Sequence, residues 1–110
     1  MEEKRQHQRI KFAEPVQFYS KDHFLTGGTL ACDLSETGIR INVNEFIPVG
    51  KELILNINLG IEEIAECMGR VVWVSKLAYN ERYQVGVEFL PTTSSLESKS
   101  RIQEFVYLMT

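Results

Sequence analysis

The sequence predicts a mainly β domain, a six-stranded antiparallel β-barrel with one C-terminal α-helix. Three observations carry that prediction. Runs rich in β-branched and aromatic residues alternate with polar residues at a period of two between Val16 and Phe89. Clusters of glycine, proline and asparagine punctuate those runs. Beyond Pro91 the apolar spacing changes to that of one helix face. Closure of the sheet follows from the need to remove exposed edges, and the helix is expected to cover the mouth or side of the barrel.

The elements follow in order. Val16 to Phe24 (VQFYSKDHF) reads as the first strand, ending before a turn at Gly27-Gly28. Thr29 to Leu34 is the second. Ile39, Ile41 and Val43 alternate with Arg40, Asn42 and Asn44 to make a third, half-buried one, so that DLSETG connects strands two and three. After the loop Glu45 to Gly50, Leu53, Leu55, Ile57 and Leu59 mark the inner face of strand four. Glu62 to Lys76 is a long fifth strand with a bulge expected near Gly69, and Tyr83 to Phe89 is the sixth. Ile102, Phe105, Val106 and Met109 recur at i, i+3, i+4 and i+7, giving a helix over about residues 95–109, with Ser94 and Glu97 spaced as a capping box.

With 110 residues the chain has room for one core, so a single site is expected and not an interdomain cleft. Residues 13–110 form the expected barrel and helix. Residues 1–12 are set apart as a flexible arm, since Met1 to Lys11 carries Lys4, Arg5, Arg9 and Lys11 with almost no apolar residue. The most apolar stretch, Leu53 to Ile64, is interrupted by Asn56, Asn58, Glu62 and Glu63, so no membrane insertion is expected. The N-terminus shows no apolar signal region, and a cytoplasmic location is the expectation. Cys32 and Cys67 belong to no metal-binding or disulfide pattern and are expected as two reduced, inward-facing thiols. The net charge of -3 argues against a protein that coats a nucleic acid polymer, so any anion must meet a local basic patch.

No catalytic set, metal site or cofactor emerges. His7 and His23 lack a paired nucleophile, and Glu62, Glu63 and Glu66 read as solvated positions, with the first two on opposite faces of a strand. Trp73 reads as core or barrel wall and not as a stacking platform. Two motifs remain. In Asp33-Leu34-Ser35-Glu36-Thr37-Gly38, the Asp33 carboxylate can accept two parallel hydrogen bonds from the N1–H and N2–H edge of guanine. Ser35 adds a small donor and acceptor, and Gly38 permits a positive φ and close approach to a ligand. Turns also favour these residue types for purely local reasons. In Arg5-Gln6-His7-Gln8-Arg9, two planar guanidiniums four residues apart suit phosphates and the guanine O6 and N7 edge, although a solvated charged tail has the same composition.

The two motifs together, RxxxR ahead of the first strand and DxSxxG between strands two and three, resemble the PilZ domain family of cyclic di-GMP receptors. Gly69-Arg70-Val71-Val72-Trp73 and Val85-Gly86-Val87-Glu88-Phe89 look like that family's later strands, and the likeness runs from about Lys4 to Phe105. The resemblance implies a non-enzymatic receptor that binds cyclic di-GMP on the outside of the barrel, with the arm wrapping over the ligand. By motif position, Arg5 and Arg9 would contact phosphates and guanine, while Asp33, Ser35 and Gly38 would hold a guanine edge. Lys4 stands where many members carry another arginine, which bears on whether one or two nucleotides bind. Ordering of the arm would pass the signal to a downstream protein partner. A barrel that recognises a protein constitutively, without nucleotide, is the alternative. A nucleic-acid-binding barrel ranks last, because no strand interleaves aromatic and basic residues.

Overall fold

The computed structural model describes residues 9–22, 24–60, 63–78, 81–91 and 96–110. Its strands are β1 (Ile10–Lys11), β2 (Pro15–Ser20), β3 (Thr26–Leu34), β4 (Gly38–Val43), β5 (Glu52–Gly60), β6 (Glu63–Lys76) and β7 (Tyr83–Phe89), followed by helix α1 (Leu96–Met109). Six of them close an antiparallel ring in the order β3-β2-β5-β6-β7-β4, and β4 returns to pair with β3. The short β1 continues β2 along the same flank of β3, with Lys11 opposite Asp33 and Pro15 opposite Leu30. Hydrogen bonds from Phe12 N to Cys32 O (3.1 Å) and from Ala31 N to Glu14 O (3.0 Å) span the break.

The ring is narrow, so its interior is filled by side chains: Val16, Leu34, Ile39, Ile41, Leu53, Leu55, Ile57, Val71 and Val85 are fully buried. Any ligand must therefore use the outer wall or the ends. Helix α1 packs beside the barrel against β6 through Ile102 and Val106. Phe105 meets Phe12 edge-to-face at 5.4 Å between ring centroids. Phe12 is thus core, and Ile10 and Lys11, read from sequence as part of the arm, are strand. No helix among the described residues is long and apolar enough to cross a membrane.

Several elements differ from the sequence reading. The first hairpin turns at Lys21, not at Gly27-Gly28, which both lie inside β3. Asp22 is the cause: its carboxylate accepts from the Ser20 hydroxyl and from Phe24 N (3.1 Å), while Ser20 N–H donates to Leu25 O (2.8 Å) to close the turn. Gly27 instead leaves room for the Phe18 ring, whose Cζ would lie 2.7 Å from an added Cβ. The expected helix face is also displaced, since Met109 is 60% exposed and the buried line runs Ser98, Ile102, Val106. Of the capping box, Ser94 lies outside the described residues, and Glu97 pairs with Arg101 (3.1 Å). Both cysteines are free, yet only Cys67 is buried; Cys32 is half-exposed.

Candidate functional site

The connection between β3 and β4 is a tight turn built by its own side chain. Ser35 N–H donates to Gly38 O (2.9 Å), and the Ser35 hydroxyl accepts from Thr37 N and Gly38 N, each at 3.2 Å. Ser35 is only 1% exposed, so this hydroxyl is engaged in shaping the loop. Gly38 does not adopt the positive φ expected of it; Gly50 and Gly60 are the described glycines that do. What excludes a side chain at Gly38 is the Val87 carbonyl of β7, against which an added Cβ would collide. The loop is further tied down by Phe89 N–H, which donates to Thr37 O (2.9 Å).

Two β-bulges decide what faces outward. In β3 the register shifts between Ala31 and Asp33, and in β6 between Val71 and Trp73. The second replaces the irregularity expected near Gly69. An extra residue inverts the inside-outside alternation beyond it. Ala31 and Leu34 consequently both point inward, leaving Asp33 on the outer side beside Arg40, where the arginines that contact it leave it buried at 6% exposure. Likewise Val71 points in while Val72 and Trp73 are both exposed. Cross-strand pairs Lys11–Asp33, Asp33–Arg40, Arg40–Gly86 and Gly86–Trp73 then form one row across five strands. By strand spacing the row from Asp33 to Trp73 covers about 14 Å.

Asp33 is at the centre of the charge in this row. Its Oδ1 accepts from Arg9 Nη1 at 2.6 Å, and its Oδ2 pairs with Arg40 Nη2. Two residues of the two motifs, 24 positions apart, are thereby in contact. Lys11 adds a third cation on the same face, the local basic patch that an acidic chain needs to attract an anion. Arg5 lies outside the described residues. At the other end of the row the Trp73 indole lies over Gly86, where any Cβ would strike it, and is 40% exposed. The apolar neighbours of Trp73 suggest core or barrel wall; the bulge excludes the core and sets it on the outer face. Between the two ends is an open depression of about 320 Å³ lined by Arg9, Gly38, Trp73, Gly86 and Glu88.

The loop also touches the helix, where Gln103 Nε2 donates to Glu36 Oε1 at 2.9 Å. Behind it, a cavity of about 150 Å³ separates α1 from the barrel and includes Thr37, Cys67 and Ile102. Burial, with the Glu66 charge adding to it, pushes the Cys67 thiol up to about 12. A hollow of about 200 Å³ at the opposite end of β3 and β4 holds Asn42, Asn44 and Arg82, and no motif residue lines it.

This geometry is a candidate outer-wall site at the junction of an N-terminal segment and the β3–β4 loop. The family model of the PilZ domain matches residues 3–108. The chain belongs to the PilZ domain family. Solved structures agree on the fold. The Bacillus subtilis inhibitor of motility (MotI/DgrA) superposes with a TM-score of 0.78 at 18% identity, covering 98% of this chain and 51% of that one, so this PilZ domain spans about half its length. The PilZ domain of Escherichia coli YcgR with c-di-GMP gives 0.70 at 17% identity over 96% and 91% of the two chains. The PilZ domain of CeSA from a cellulose-synthesizing bacterium gives 0.68 at 17% over 91% and 98%. No curated protein sequence matches the chain.

Within this PilZ domain, sequence reasoning singled out only Asp33 of the row; among the residues it missed are Arg40 and Trp73. A signal for the second was present. Gly86 stands in mid-strand between two inward valines, and glycine in that position marks a close approach by another group.

Proposed function

We propose that this PilZ domain is a non-enzymatic receptor for cyclic di-GMP that binds the dinucleotide on its outer wall, along the row from Asp33 to Trp73. The observation that carries the reading is the contact of Arg9 with Asp33, because it brings the arm motif and the loop motif to one point. A guanine presents N1–H and N2–H from a fragment that is chemically a guanidine, so its edge takes on Asp33 the place that Arg9 now holds. Arg9, once released, turns its planar fork to a phosphate or to guanine O6 and N7. Arg5, from the segment ahead of it, supplies a second fork. The half-exposed Trp73 indole offers a base a face worth about 1–3 kcal/mol in stacking. Ser35 and Gly38 support the site by keeping the loop closed and the β4–β7 contact tight.

Energetics favour a concerted grip. Ordering about five residues of arm, Lys4 to Gln8, costs on the order of 8 kcal/mol. Two salt contacts at about 4 kcal/mol each match that only before desolvation is subtracted. The carboxylate and stacking contacts must supply the rest. Ordering of residues 4–8 over the ligand, with Arg9 re-aimed, then alters the surface offered to a downstream protein, with the Phe12–Phe105 and Gln103–Glu36 contacts carrying the change to α1.

One observation favours the constitutive protein-interaction reading, namely that both oxygens of Asp33 are already occupied by arginine. Calorimetric titration with cyclic di-GMP separates the two. The receptor reading expects saturable binding that Asp33→Ala and Arg9→Ala each weaken by about tenfold or more. Absence of binding by the parent, or parent-like binding by Asp33→Ala, overturns it. Hydrogen exchange of the arm tests the switch: protection should rise on saturation, and no change would remove the ordering step alone.

A further inference from the structure

The two arginines on Asp33 reach it by different routes. Arg9 comes from the segment ahead of β1, whereas Arg40 stands in mid-β4 with β3 on one side and β7 on the other. As directly opposed cross-strand residues, Asp33 and Arg40 have Cβ atoms about 5 Å apart, so their contact is built into the ladder. Arg40 also leaves its Nε buried without a hydrogen-bond partner among the described residues. A buried orphan donor is unfavourable, so among the described residues it is Asp33 that holds the guanidinium in place. On its other side Gly86 has no side chain to grip it.

We propose that Arg40 is a positioning residue: by holding Oδ2 of Asp33 from within the sheet, it keeps the carboxylate plane aimed so that guanine's N1–H and N2–H can both be accepted. The assignment rests on the cyclic di-GMP reading above. An ionised carboxylate offers about four lone-pair sites, so Arg40 and a guanine edge are accommodated together after Arg9 leaves. Without Arg40 the terminal torsion of an aspartate is broad, and Asp33 loses its fixed plane. The consequence is selectivity. Arg40 sets how strongly the site prefers guanine over a base that keeps N1–H but lacks the 2-amino group, an effect that a cation acting only on phosphates would not produce.

The test titrates the parent, Arg40→Met and Arg40→Lys with cyclic di-GMP and with cyclic di-inosine monophosphate, with a thermal melt of each protein. The parent should prefer the guanine ligand by about tenfold or more, the worth of one hydrogen bond to a charged acceptor. Both variants should bring that ratio to about threefold or less, because lysine restores charge but not the planar fork. If both affinities fall together with the ratio unchanged, or if the parent shows no preference, Arg40 does not position Asp33 and the assignment fails alone. A parent that binds neither ligand removes the receptor reading and this assignment with it. Should Arg40→Met not fold, the ratio in Arg40→Lys decides.

Discussion

The indole of Trp73 occupies the space that a side chain on Gly86 would fill, one strand away on the outer wall. That arrangement lets the indole pack close to β7 while staying 40% exposed. Gly86→Ala is therefore expected to leave the barrel folded but tip the ring off the sheet. Trp73 is the chain's single tryptophan, so its fluorescence reports the site directly. Cyclic di-GMP should quench it in the parent, and Gly86→Ala should shift the emission and weaken binding by about tenfold, within the range of one lost stacking contact.

Gly38 should behave differently, because its neighbour is the Val87 carbonyl and not the ligand depression alone. Gly38→Ala forces β4 away from β7 and is expected to cost about 1–3 kcal/mol of folding stability, as overpacking does. Urea denaturation checks this. A variant with parental stability and no binding would show instead that Gly38 acts through the ligand.

Removing the Ser35 hydroxyl leaves Thr37 N–H and Gly38 N–H without their acceptor in a buried turn. Ser35→Ala is expected to lose about 1–3 kcal/mol. Faster amide exchange at Thr37 and Gly38, confined to the loop, would be the accompanying signature.

Cys67 makes stability depend on alkaline pH. Its folded pKa is raised to about 12 from 9.0, so above pH 9 the unfolded chain gives up a proton that the folded chain retains. Stability from this group is thus complete below pH 9 and declines as pH rises toward 12, by at most about 1.4 kcal/mol per pH unit. Denaturation of the parent between pH 8 and 11 should show a decline that is shallower in Cys67→Ala. At pH 8 a thiol reagent should label the half-exposed Cys32 first and Cys67 only on unfolding.

Phe105 clasps Phe12 and, through it, the start of the barrel. Phe105→Ala is expected to destabilise the fold by about 2 kcal/mol, less than a fully buried phenylalanine. It should also raise hydrogen exchange at Ile10 and Lys11 before the rest of the sheet. Uniform exchange across all strands would show that β1 does not open separately.

Alternating apolar residues were enough, in the linear chain, to show the six strands of the ring, the inner face of β5 (Leu53, Leu55, Ile57, Leu59) and the closing helix, because burial on one side of a regular element imposes its period on the residues. The chemistry of Asp33 and Arg9 could also be read there, since a carboxylate and a guanidinium have the same donors and acceptors wherever they sit. What the tertiary structure decided was direction and company. Extra residues at the bulges in β3 and β6 invert the alternation, and no local preference announces them; they place Asp33 and Trp73 on one outer face. Arg40 joins Asp33 only through strand register, and Gly38 acquires its structural task only once β7 lies against the loop. Contacts between strands distant in sequence depend on where the ring closes, and that is a property of the whole barrel and not of any stretch of chain.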